Sequence, residues 1–153
     1  MNSEDIVHYP NARHAIFGSL FILANRLEVV GNRAFKDMTA KQWFLLTILS
    51  QSFTEPPTVC ELAEKMGMSH QNVKQLALRL EARGFLRILP DSKDRRALRI
   101  CATEELQLYK QNKAEQHDCF LDTFFADFSK TELETFRSYL ARLFDTVMEA
   151  DCE

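Results

Sequence analysis

Glycine and proline are scarce in this chain, four of each among 153 residues, so tight turns are few and long helices have room to run. No unbroken apolar stretch reaches the roughly 18 residues of a membrane-spanning helix, so no membrane partner is expected. The opening residues Met1-Asn2-Ser3-Glu4-Asp5 lack the basic start and apolar run of a signal peptide, which makes the cytoplasm the expected compartment. Four cysteines, at 60, 101, 119 and 152, are widely spaced and read as thiols in a reducing compartment rather than a disulfide framework. No Gly-rich phosphate loop, Ser/His/Asp set or carboxylate pair recommends an enzyme. His117 and Cys119 stand two apart on a helix and face different sides, while His8, His14 and His70 are scattered. No metal and no other cofactor is expected.

What is present is ordinary for a soluble globular protein: 46% apolar and 27% charged residues with a net charge of −3. The length suits one domain over residues 1–153. The charge is unevenly spread. Residues 69–99 hold eight Lys/Arg (74, 79, 83, 87, 93, 95, 96, 99) against three acids (81, 91, 94), a local +5, leaving −8 for the rest. A basic island on an acidic chain is the footprint of a surface that meets phosphate.

Helical periodicity dominates both ends. A first long helix, opening at Tyr9 or Pro10, carries Ile16, Leu20, Leu23, Leu27, Val30 and Ala34 at steps of three and four, widened by Phe17, Phe21 and Ala24. Thr39-Ala40-Lys41-Gln42 is a capping box and starts a helix bearing Trp43, Phe44, Leu46, Ile48 and Leu49 that ends near Phe53. Pro56-Pro57 marks a loop. A second box, Thr58 to Glu61, opens a short helix with Leu62, Ala63 and Met66 inward. Gly67-Met68-Ser69 then turns the chain, with Ser69 as N-cap of a helix over 69–83 that Gly84 stops. Two strands, 85–89 and 97–102, flank the turn Asp91-Ser92-Lys93-Asp94-Arg95-Arg96. Thr103 caps a long helix with Phe120, Leu121, Phe124, Phe125 and Phe128 along its later part. Ser129-Lys130-Thr131-Glu132 starts a last one, with Leu133, Phe136, Leu140, Leu143 and Val147 in register. The fold class is therefore mainly α with a small β-hairpin wing: a winged helix-turn-helix at 37–103, flanked by amphipathic dimerisation helices at 8–36 and 104–150. Three such helices exceed what one small protomer covers, so a second copy is expected to interleave with them.

A helix that docks in the major groove buries one face and offers polar side chains from its first turns. Val73, Leu76, Ala77 and Leu80 form the apolar face, which leaves Ser69, His70, Gln71, Asn72, Lys74, Gln75 and Arg79 for the duplex. Gln and Asn can bond bidentately to adenine edges and Lys can reach guanine acceptors or phosphates. In the hairpin, Lys93, Asp94, Arg95 and Arg96 form the tip. An arginine on a narrow tip can enter the minor groove, and Asp94 is well spaced to hold the Arg96 guanidinium in one pose.

The stretch from Thr39 to Thr103 resembles the MarR (multiple antibiotic resistance regulator) family of winged-helix transcription factors. Its signature here is Leu62-Ala63, Ser69 with Val73 and Leu76, Leu80-Glu81-Ala82-Arg83-Gly84-Phe85-Leu86, and Asp94-Arg95-Arg96-Ala97 followed by Thr103. The resemblance implies a homodimer that binds a roughly palindromic double-stranded DNA operator with two recognition helices and two wings. It makes Asp94 and Arg96 the wing pair, with Arg95 a substitute or phosphate contact. It also implies a pocket for a small aromatic or anionic effector, lined by His14, Phe17, Phe21, Trp43 and Phe44. The recognition helix departs from the family's usual residues at Gln71-Asn72-Val73-Lys74-Gln75, so no operator sequence carries over. Ala102 stands where that family has Leu, which leaves space beneath the wing. Oxidant-sensing relatives place a reactive cysteine in the first helix, where this chain has none. Cys60 sits at the second position of its helix, where the dipole favours a thiolate, Cys101 is on the wing, Cys119 is expected in the core and Cys152 in the tail.

The expectation is a dimeric DNA-binding regulator, a repressor relieved by a ligand. Two rivals stand beside it: a winged-helix module for protein contact, and a small-molecule-binding protein without an operator.

Overall fold

The computed structural model describes residues 3–92, 94 and 96–151. Seven helices and one antiparallel hairpin follow in the order α1 (Ser3–His8), α2 (Ala12–Ala34), α3 (Ala40–Gln51), α4 (Val59–Met66), α5 (His70–Glu81), β1 (Leu86–Pro90), β2 (Leu98–Ala102), α6 (Glu104–Phe125) and α7 (Lys130–Asp151). Two compact units make up the chain, and the boundary falls between Tyr109 and Lys110, inside α6.

The helix starts follow from their caps. Thr39 Oγ1 accepts from the Gln42 amide at 3.2 Å while Gln42 Oε1 accepts from the Thr39 amide at 2.9 Å, closing the first box. Thr58 and Glu61 repeat it, with the Thr58 amide donating to Glu61 Oε2 at 2.6 Å and the Glu61 amide donating to Thr58 Oγ1 at 3.2 Å. Ser129 and Glu132 form the third, at 2.8 Å and 3.3 Å. The N-terminus departs from expectation. The first long helix begins two residues beyond Pro10, because the Asn11 side chain accepts from the Arg13 and His14 amides and so caps α2; the short α1 precedes it. At its other end α5 stops at Glu81 rather than Arg83, and Gly84 takes the left-handed conformation, φ +81°, that ends the turn.

The core of the first unit gathers around α5. Val73, Leu76, Ala77 and Leu80 are buried, and α5 packs on α3, α4 and β1. Leu45, Leu46 and Leu49 come from α3, Val59, Leu62, Ala63 and Met66 from α4, Leu86 and Ile100 from the hairpin, and Leu106 from the first turns of α6. Gly31 lets α2 approach α3 closely: a Cβ there would lie 2.8 Å from the Ala40 Cβ.

Much of the remaining apolar surface is uncovered. On α2, Phe17 is 67% and Phe21 61% exposed, with Ile16, Leu23 and Leu27 beside them. By length and composition α2 is apolar enough to cross a bilayer, with a mean hydropathy of 1.2 over its most apolar 18 residues. Gly18, Ser19, Asn25 and Arg26 interrupt its apolar run, so the sequence holds no unbroken apolar stretch there. In the second unit residues 130–150 of α7 are not buried, and Phe136, Tyr139, Leu140, Phe144 and Val147 are open. Cys119, expected in a core, is exposed, as is Cys60, whereas Cys101 is half-buried on β2. Cys152 lies outside the described residues.

Thr58→Ala removes the hydroxyl that accepts from the Glu61 amide and donates to its carboxylate, leaving the main-chain amide in place, and is expected to cost about 1 kcal/mol, measured by urea denaturation. The Glu61 carboxyl is held below its ordinary value of 4.5 by the Thr58 amide and then its hydroxyl. Its contribution to stability is therefore present above pH 4.5 and lost as pH falls through the lowered folded value. That acid-side loss should shrink in the variant; an identical acid slope for the two proteins would count against the assignment.

Candidate nucleic-acid interface

The polar face of α5 is fixed by the burial of the opposite one. With Val73, Leu76, Ala77 and Leu80 inward, a period of 3.6 residues turns His70, Gln71, Asn72, Gln75 and Arg79 to solvent, and Lys74 is half-buried at the edge of that face. Ser69 sets the first turn: its hydroxyl accepts from the Asn72 amide at 3.3 Å and keeps its own O–H to donate outward. Gly67 at φ +61° closes α4, so the two helices meet through a three-residue turn.

The hairpin rises from the end of α5. β1 and β2 pair in the register Leu86 with Ala102 through Pro90 with Leu98. Its root is tied at several points. Glu81 Oε1 accepts from the Ile88 amide at 2.6 Å, and the Thr103 hydroxyl donates to the Gly84 carbonyl at 2.7 Å while accepting from the Leu106 amide at 3.3 Å. The Arg83 guanidinium lies 4.7 Å above the Phe85 ring, which packs at 4.9 Å against Tyr109. Burial, reinforced by the Asp37 carboxylate, pushes the Tyr109 phenol up to about 12.

At the tip the two aspartates do something other than the spacing suggests. Asp94 accepts from the Arg96 main-chain amide at 2.9 Å and, among the described residues, makes no ion pair with the Arg96 side chain, which is exposed. A two-residue separation lets a short acid reach the amide ahead of it more readily than a long side chain, so Asp94 shapes the turn. The carboxylate that grips an arginine is Asp91, only 6% exposed: one oxygen accepts from the Asp94 amide at 2.7 Å and the other from Arg99 Nε. Opposite charges flanking the mouth of a hairpin were the available signal, and counting Arg99 into the basic footprint concealed it. Lys93 and Arg95 lie outside the described residues.

Beside the wing, Ala102 borders an open groove of ≈880 Å³, with Leu86, Arg87, Leu89, Cys101 and Leu108 along its walls. The five expected effector contacts are arranged differently. Trp43 stacks on Phe35 at 5.4 Å, Phe17 meets Phe21 edge-on at 5.1 Å, and His14, Phe17, Phe21 and Phe44 are exposed on the protomer.

A sequence model described as the MarR family matches residues 36–97, the whole of the two-helix motif and its wing tip. That stretch of the chain is similar to the MarR family. A curated relative, the transcriptional activatory protein BadR of Rhodopseudomonas palustris, is 26% identical over 140 residues, covering 89% of this chain and 80% of that one. A MarR/EmrR-family regulator from Acinetobacter sp. ADP1 has the same fold, with TM-score 0.77 at 18% identity over 91% of this chain and 99% of the other. The PcaV regulator of Streptomyces coelicolor, solved in complex with its natural ligand, matches with TM-score 0.69 at 19% identity over 96% and 99%. The fold of a MarR winged helix with long terminal helices therefore extends over nearly the whole chain.

Gly84 has no heavy atom within 4 Å of where a Cβ would stand. Gly84→Ala should therefore destabilise through backbone conformation alone, by about 1–2 kcal/mol, the cost of a left-handed residue carrying a Cβ. A denaturation midpoint equal to the parent's would contradict this.

Proposed function

We propose that this protein is a homodimeric transcriptional regulator that binds double-stranded DNA in a sequence-specific way, working in the cytoplasm and without catalytic chemistry. One observation carries the reading. A helix buried along one face presents His70, Gln71, Asn72, Lys74 and Gln75 beside a wing whose exposed Arg96 sits on a turn shaped by aspartates. In this reading α5 enters the major groove, where Gln71 and Asn72 face base edges, and Arg96 enters the adjacent minor groove. Ser69, Lys74 and Arg79 contact the backbone, joined by Lys93 and Arg95, which the sequence sets on the same wing.

The exposed apolar faces of α2 and α7 support the dimer, because open rings such as Phe17, Phe21, Phe136 and Phe144 ask for a covering surface. A second copy covers both faces, and its symmetry matches two half-sites of a palindrome.

Regulation by a ligand is part of the proposal. A small aromatic or anionic molecule held by His14, Phe17, Phe21, Trp43 and Phe44, with the second copy closing the space, would relieve repression by favouring a dimer whose recognition helices are wrongly spaced. PcaV, solved with its natural ligand, supports a ligand-responsive architecture. BadR is named as an activator, so the sign of regulation is checked by itself in a promoter fusion.

Selection of bound fragments from random duplex DNA, followed by fluorescence anisotropy, tests the reading. The selected duplex should bind with affinity that falls steeply with salt, and equal weak binding to every duplex would sink the proposal. Arg96→Ala should weaken the selected duplex by ~1–3 kcal/mol, the scale of one groove contact. Gln71→Ala and Asn72→Ala should relax sequence preference and leave binding to scrambled DNA unchanged.

A further inference from the structure

We propose that Arg99 positions the DNA interface rather than touching DNA: held by Asp91 and the Pro56 carbonyl, it clamps the wing to the start of α4. The inference rests on the DNA-binding reading and concerns how its two grips are held in register. Arg99 Nε donates to Asp91 Oδ2, and an Nη donates to the Pro56 carbonyl at 2.5 Å, across 43 residues of sequence. The main chain reinforces the side chain. Arg99 forms a β-bridge with Thr58, and the Ile100 amide donates to the Pro57 carbonyl at 2.8 Å. Residues 56–58 are the segment whose Thr58 caps α4, and α4 packs on α5.

A single guanidinium therefore joins the wing turn, through Asp91, to the first helix of the motif and so to the recognition helix. Its planar fork suits this, because two donors point to two fixed acceptors at once. Asp91 is buried, and its other oxygen already holds the Asp94 amide. Turning Arg99 outward to a phosphate would break its ion pair with that buried carboxylate, a costly exchange. The basic footprint of residues 69–99 thus contains one charge whose work is internal.

The test measures binding of the selected duplex and of a scrambled duplex of equal length across a salt series, for the parent, Arg99→Ala, Arg99→Lys, Asp91→Asn and the Arg99→Ala/Asp91→Asn pair. Arg99→Ala should lose roughly ten-fold for the selected duplex, the size of one groove contact misplaced, with scrambled binding and its salt slope as in the parent. Asp91→Asn should fall the same way, and the pair should lose no more than the worse single variant, since both act through one contact. Arg99→Lys keeps the charge but not the fork and should follow Arg99→Ala; it also serves if the alanine variant does not fold. A salt slope reduced by about one in Arg99→Ala, with Asp91→Asn like the parent, would make Arg99 a phosphate contact and overturn the proposal. Parental specificity in Arg99→Lys would overturn it too. Amide exchange in the DNA-free protein gives a readout independent of any operator. The Asp91, Ala97 and Ile100 amides of the wing and the Leu62 amide of α4 should open faster together in Arg99→Lys. Acceleration confined to the wing would refute the clamp, whereas a parent that discriminates no duplex would instead refute the DNA reading.

Discussion

Burial of one face of α5 is the constraint on which the first unit is built. Val73, Ala77 and Leu80 are completely buried, so the helix cannot rotate without exposing them, and Val73 and Leu80 each contribute about 1.5–3 kcal/mol by leaving water. Because that face is locked, the helix period alone dictates which residues point outward. Of the three elements that lock it, α3, α4 and β1, the last two also carry the neighbouring turn and the wing. Packing and presentation are thus one physical event: the core that stabilises the unit also aims its polar surface.

The wing solves a different problem. A two-stranded hairpin is marginal in water by itself. Here it is anchored at the root by Thr103, Glu81 and the Phe85–Tyr109 contact, and at mid-height by Arg99 and the strand-like segment at 56–58. Near the tip, Asp91 accepts from the Asp94 amide and Asp94 from the Arg96 amide, and Arg96 is exposed. Positive charge is therefore displayed from a rigid support, the arrangement in which an arginine loses least conformational freedom on reaching a groove.

Elements announced by local chemistry were legible in the sequence, because their signals are short-range. The three capping boxes, the Gly67 turn, the Ser69 cap and the burial of Val73, Leu76, Ala77 and Leu80 all follow from spacing within one or two turns. Legibility fades where a side chain chooses among partners. Pro10 suggests a helix start, but Asn11 takes the cap. Asp94 has both an arginine and an amide within reach and bonds the amide. The Arg99 clamp joins residues 43 apart, beyond any local pattern. Periodicity also does not say which molecule covers an apolar face. Phe17 and Phe21 widen an apolar seam and Cys119 reads as core, yet all three are exposed, and the wing groove at Ala102 was legible only as a small residue in a large residue's place.

In the proposed reading a second copy covers the open faces of α2 and α7 and the polar face of α5 meets the duplex, so that two copies grip one duplex symmetrically. Hydroxyl-radical footprinting of the selected duplex tests that claim most directly. The account predicts a two-fold symmetric pattern, with protected backbone around two major-groove segments about one helical turn or a multiple of it apart, flanked on each outer side by a protected minor groove. A single asymmetric patch, or protection confined to the major groove with open flanks, would contradict it.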